Sequence, residues 1–160
     1  MAQDTDNNPC ETDGVAHQHA LTLRRVLDAT PEQIWKAWMT PELLQQWFAP
    51  RPWTISDVNL DPRPGGVFNF VMHGPDGKDY PNESEFVEIV PDSKIRLKHV
   101  NLPHYDLSIS LDARPGGTLV SWVGVFENEK FAEKARDFLE TANEQNLDRL
   151  AAEVGRGAQP

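Results

Sequence analysis

KFAEKARDFLETANEQNLDRLAAE, residues Lys130–Glu153, is the stretch whose reading decides the fold. Phe131, Ala135, Phe138, Leu139, Ala142, Leu147 and Leu150 recur at steps of three and four, the period of an amphipathic helix. Asn128 is placed to cap its start, and Gly155 stands where a helix commonly stops. At its usual rise such a helix is roughly 35 Å long, enough to cross a small domain. About a hundred residues of strand-like alternation precede it, so the expectation is a sheet wrapped around one terminal helix.

Working back from the helix, the segments divide at turn signals. Leu21, Leu23 and Leu27 alternate with Thr22 and Arg24 as a first strand, with Arg25 on the apolar parity. A charge at that place is either paired or has its stem covered and its head free. Thr30-Pro31-Glu32-Gln33 and Thr40-Pro41-Glu42 each combine a capping Thr with a first-turn Pro, and they open two short helices. Three Trp, at 35, 38 and 47, crowd these helices and read either as core or as an aromatic pocket wall. Strands then follow in tight succession: 53–60, 67–72, 80–90, 95–99, 107–111 and 118–126. The turns between them include Asp61-Pro62-Arg63-Pro64-Gly65-Gly66, Gly74-Pro75-Asp76-Gly77 and Arg114-Pro115-Gly116-Gly117. The chain is therefore read as α+β, an antiparallel meander of six to seven strands bent around the last helix.

Composition narrows the function. The chain has 160 residues and carries a formal net charge of -10. That sign repels phosphate backbones and anionic lipid surfaces, which argues against nucleic acid and membrane as partners. No apolar run reaches the ~20 residues of a membrane span, and no leader pattern opens the chain. The single Cys10 forms no intrachain disulfide, in keeping with a cytoplasmic location. Residues 1–18 read as a disordered polar tail, 19–154 as one domain and 155–160 as a short tail. His17 and His19 in the first tail lack the further ligands of a metal site, and no metal or other cofactor is expected. The Gly65-Gly66 turn lacks the lysine and hydroxyl of a phosphate loop and leads into a strand. No serine stands in a nucleophile elbow.

Several motifs, in order, resemble one family. These are Ala29-Thr30-Pro31 with Trp35, Thr40-Pro41-Glu42 with Trp47, Gly65-Gly66-Val67-Phe68 with Met72, and Gly74-Pro75-Asp76-Gly77. Tyr80-Pro81-Asn82, Glu88-Ile89-Val90-Pro91 and Leu147-Asp148-Arg149-Leu150 continue the series. Over 20–153 the chain is similar to the activator of heat-shock protein 90 ATPase homologue (AHSA-type) family of the SRPBCC (START-like) superfamily. That resemblance implies the helix-grip (START or Bet v-like) fold and a cavity between sheet and helix for a hydrophobic or amphipathic small molecule. It also implies a stress-response setting and a chaperone or other protein partner.

Parity and the helix stripe then nominate the walls. Trp38 and Trp47 come from the short helices, and Phe68, Phe70, Met72, Val87, Leu97, His99 and Trp122 from the strands. Phe138, Ala142 and Asn146 come from the long helix. Ala135 and Ala142 are small and hold that wall back from the sheet. Non-catalytic binding is the leading reading. The alternatives are a cyclase- or hydratase-like enzyme using Glu85 or His99 as acid and base in the same cavity, and a co-chaperone-type interaction module.

Overall fold

The structure is a computed structural model and describes residues 20–158. The tail features, Cys10 and the His17/His19 pair among them, lie outside the described residues. The chain opens with β1 (Ala20–Leu27) and the helices α1 (Pro31–Met39) and α2 (Pro41–Trp47). Six strands follow: β2 (Thr54–Leu60), β3 (Val67–His73), β4 (Asp79–Val90), β5 (Lys94–His99), β6 (Tyr105–Arg114) and β7 (Gly117–Phe126). The chain closes with α3 (Glu129–Ala158). The strands form one antiparallel sheet in the order β1-β7-β6-β5-β4-β3-β2, so the meander returns to the first strand. The long helix packs on β1 and β7 and on both short helices, the helix-grip arrangement.

Local chemistry accounts for most boundaries. Thr30 Oγ1 accepts from Gln33 N–H at 3.1 Å, and Gln33 Oε1 accepts from Thr30 N–H at 2.8 Å, a complete capping box. Thr40 makes no side-chain cap for α2, and its N–H closes α1 by donating to Lys36 O. Asn128 Oδ1 accepts from Phe131 N–H at 2.9 Å and starts α3 as expected. The two-glycine turn is required by space: a Cβ at Gly66 would stand 2.0 Å from Asp61 O, and Gly65 has φ 86°.

Two sequence expectations are corrected here. The last helix does not stop at Gly155 but continues to Ala158. A helical glycine costs only about 1 kcal/mol relative to Ala, and Val154 beside it is buried in the core. In β4 the parity that grouped Glu85, Val87 and Ile89 is broken. The register with β5 shifts between Phe86 and Glu88, so Ser84 and Phe86 face the core while Glu85 and Val87 face solvent. An extra residue in one strand reverses which side chains point inward beyond it.

The charge on the core parity of β1 is resolved as a pair. Arg25 donates to Asp148 Oδ1 at 2.6 Å and to Glu144 Oε1, tying the first strand to the last helix.

Candidate binding cavity

An aromatic layer forms the floor of the site. Trp38 meets Trp47 edge-on at 5.0 Å between ring centres and lies 5.5 Å from Trp122 and 6.3 Å from Phe68. Trp47 donates its Nε1–H to Ala37 O at 3.0 Å. Leu44, Trp47, Leu147 and Leu150 have no exposed surface, so this end of the molecule is close-packed.

Above that layer the helix stands away from the sheet. A cavity of about 240 Å³ opens between the concave face and the N-terminal half of α3. Phe70, Met72 and Trp122 form its sheet side, and Phe138, Ala142 and Asn146 its helix side. His99 borders it from the end of β5. Those seven of the sequence-nominated residues come together. The other five do not: Trp38, Trp47, Phe68 and Leu97 are buried in the core behind the wall, and Val87 is on the outer face. Trp38 and Trp47 thus follow the core reading of the tryptophan cluster. Glu85 is also outside, so it makes no acid–base pair with His99 across the cavity.

Several wall residues escaped the sequence reading. Phe48, Ala49 and Pro50 contribute a segment that ordinary turn signals mark only as a helix end. Ala49 has φ 98°, in the left-handed region that disfavours a side chain, and α3 holds it there. Asn146 Oδ1 accepts from Ala49 N–H at 2.7 Å, while Arg149 donates to Ala49 O and, at 2.7 Å, to Gln46 O. Asn146 is therefore in part a clamp. Tyr105, Asn82 and Asn143 were also missed, because each lies at a strand end or off the apolar stripe.

The polar groups around the cavity are neutral amides, a phenol and an imidazole. No Asp, Glu, Lys or Arg borders it among the described residues. The Tyr105 hydroxyl and the Asn146 amide nitrogen have no hydrogen-bond partner among those residues. Burial alone pushes the Tyr105 phenol up to about 12, so it serves as a neutral donor and acceptor.

His99 stacks on Tyr105, with ring centres 4.6 Å apart and planes 7° from parallel. Its Nδ1 stands 2.7 Å from Pro103 O, which can only accept, so Nδ1 carries a proton. Its Nε2 stands 2.9 Å from Asn82 Oδ1 while Asn82 Nδ2 donates to Tyr80 O. That orientation suits the imidazolium; the neutral ring needs the Asn82 amide turned over to donate. Burial pushes the His99 pKa down and outweighs the Pro103 carbonyl, which pulls it up. The ring is thus positioned by protein atoms on both nitrogens, while burial disfavours its charged form.

Comparison with known proteins agrees with this architecture. Residues 28–155 match the family described as Activator of Hsp90 ATPase homolog 1-like protein. No curated protein gives a significant match. Among solved structures, the chain is similar to a Nitrosomonas europaea protein at 25% identity and TM-score 0.82, over 88% of this chain and 96% of that one. A Rhizobium leguminosarum protein gives 27% identity and TM-score 0.71 over 86% and 94% of the two chains. A Chromobacterium violaceum protein gives 25% and 0.74 over 85% and 97%.

Proposed function

Because the chain belongs to the Activator of Hsp90 ATPase homolog 1-like family, we propose that it works by non-catalytic binding of a neutral, mainly apolar small molecule beneath α3. Family and fold support a ligand-binding or co-chaperone-type module at the coarser level. The observation that carries the finer reading is an uncharged cavity of about 240 Å³ with unpartnered polar groups at its wall, the Tyr105 hydroxyl and the Asn146 amide nitrogen among them. A cavity of ~150 Å³ accommodates a benzene-sized molecule, so one or two fused rings suit this space. An ionised ligand would lose its hydration there with no opposite charge to replace it. A hydroxyl or carbonyl on the ligand can meet the Tyr105 hydroxyl or the Asn146 amide. The absence of any apolar segment long enough to span a bilayer among the described helices fits a cytoplasmic carrier or sensor.

A matched pair of probes tests this. 2-Naphthol should raise the melting temperature in proportion to its concentration, because it binds the folded state only, and 2-naphthoate should not. Ala142→Phe, at a wall residue that is 8% exposed, should abolish the naphthol response and leave a folded protein. Equal stabilisation by the carboxylate, or an undiminished response in Ala142→Phe, would remove the cavity from the account.

A co-chaperone-type role rests on a different observation. Leu102 and Phe138 are large apolar side chains exposed at 79% and 60%. Binding to a purified Hsp90 chaperone that is lost in Leu102→Asp, with the naphthol response kept, would select that role.

A further inference from the structure

A second constellation lies on the opposite face of the sheet from the cavity. Ser56 Oγ is 2.6 Å from His73 Nε2, and His73 Nδ1 is 2.8 Å from Asp79 Oδ1. A hydroxyl, an imidazole and a carboxylate in that series are the parts of an activated serine nucleophile. Ser56 and His73 are 17 positions apart in sequence and His73 and Asp79 only 6, and they belong to three consecutive, adjacent strands. The ladder aligns them: Thr54 is opposite His73, Ser56 opposite Val71, and His73 opposite Asp79. Phe70 and Met72 point to the cavity, so Val71 and His73 point away from it. The geometry is therefore set by strand register rather than by a flexible loop.

We propose that Ser56, His73 and Asp79 form an acyl-accepting serine site for carboxylic esters on the convex face of the sheet. With Nδ1–H donating to Asp79, the neutral imidazole presents the lone pair of Nε2 to the serine hydroxyl. Ser56 Oγ attacks the ester carbonyl and forms the Oγ–C bond as His73 Nε2 takes the hydroxyl proton. The bond from carbon to the leaving oxygen then breaks, and Nε2–H returns the proton to that oxygen. Water attacks the acyl-serine by the same proton path and regenerates the hydroxyl. Asp79 touches no reacting atom and is a positioning residue that fixes the tautomer of His73.

Two features of the strand bear on this chemistry. β2 is the edge of the sheet, and an edge strand leaves main-chain N–H groups unpaired on its outer side, where a carbonyl oxyanion can be met. Immediately after Ser56 the register with β3 shifts, and Asp57 has φ 54°, a conformation that costs free energy in a non-glycine residue. Asp57 Oδ2 lies 3.3 Å from Ser56 Oγ and competes with His73 for the same proton. It also places a negative charge where the oxyanion would form, so it restrains the site.

The test uses the full chain with Cys10→Ala, which removes its only thiol, and p-nitrophenyl acetate. The expected result is a burst of nitrophenolate equal to the protein concentration, with one acetyl group mapped to Ser56. Ser56→Ala should abolish the burst without lowering the melting temperature. His73→Gln should slow acylation at least ~100-fold, the scale of general-base assistance. Asp79→Asn should slow it at least ~10-fold, and Asp79→Glu should restore most of the rate, which a purely structural role does not require. Asp57→Asn should speed acylation, whereas a fall would show that Asp57 is the base and overturn the assigned proton path. An unchanged burst in Ser56→Ala, or acetyl found only on lysine and the terminal amine, would reduce the three residues to a surface hydrogen-bond network.

Discussion

The two halves of α3 are built from the same periodic pattern and do different work. Towards its C-terminus, Leu147, Leu150 and Val154 are buried against the tryptophan layer of α1 and α2. Towards its N-terminus, Phe138 and Phe131 remain 60% and 38% exposed while bordering the cavity. One half closes the core and the other half arches over an open space. The difference shows that an apolar stripe marks the face a helix turns inward, without determining how near the sheet comes to it. That distance is set by what stands between: Trp38 and Trp47 support one half, while a smaller cluster of Leu21, Phe126 and Ala132 holds the start of the other and leaves the cavity between.

The comparison can be broken by substitution. Leu150→Ala should cost ~2–5 kcal/mol, since it leaves a hole in a close-packed layer. Phe138→Ala, read from periodicity as a residue between helix and sheet, would cost ~3–5 kcal/mol. Its exposure places it below about 1 kcal/mol instead, with a weakened response to an apolar ligand as its main effect. Chemical denaturation of the two variants decides the matter. Equal losses would mean that the two halves pack alike.

The smallest effect concerns pH. His99 sits under the arched half with its pKa lowered by burial, so the unfolded chain binds its proton first as pH falls. The His99 contribution is complete above the ordinary value of 6.5 and declines as pH falls below it towards the folded value. His99→Gln should flatten that part of the stability profile. A profile that is unchanged in the variant would show that His99 titrates alike in both states.

The legible parts of the sequence are those governed by local rules. The Thr30 box, the Asn128 cap, the glycine turns and the inward parity of Phe68, Phe70 and Met72 follow from neighbours within a few residues. Parity failed at Val87 because a bulge inserts a residue that composition does not announce. Trp38 and Trp47 were ambiguous because a buried aromatic layer and an aromatic pocket wall have the same composition. Tyr105, Asn143 and the Ala49 segment became visible only through contacts that span fifty to a hundred residues, such as the clamp from Asn146 and Arg149. The pairing of Arg25 was legible as one of two options, since a charge on a core parity either finds a partner or frees its head to solvent. The identity of Glu144 and Asp148 was not.

The most direct measurement of the central claim is diffraction from crystals of the protein pressurised with xenon, which enters dry apolar space and is easily located. The account predicts a xenon site bordered by Phe70, Trp122 and Ala142, and none between Leu147, Leu150 and Trp47. A chain that takes up no xenon beneath the N-terminal half of α3, or takes it up only in the tryptophan layer, would contradict the account.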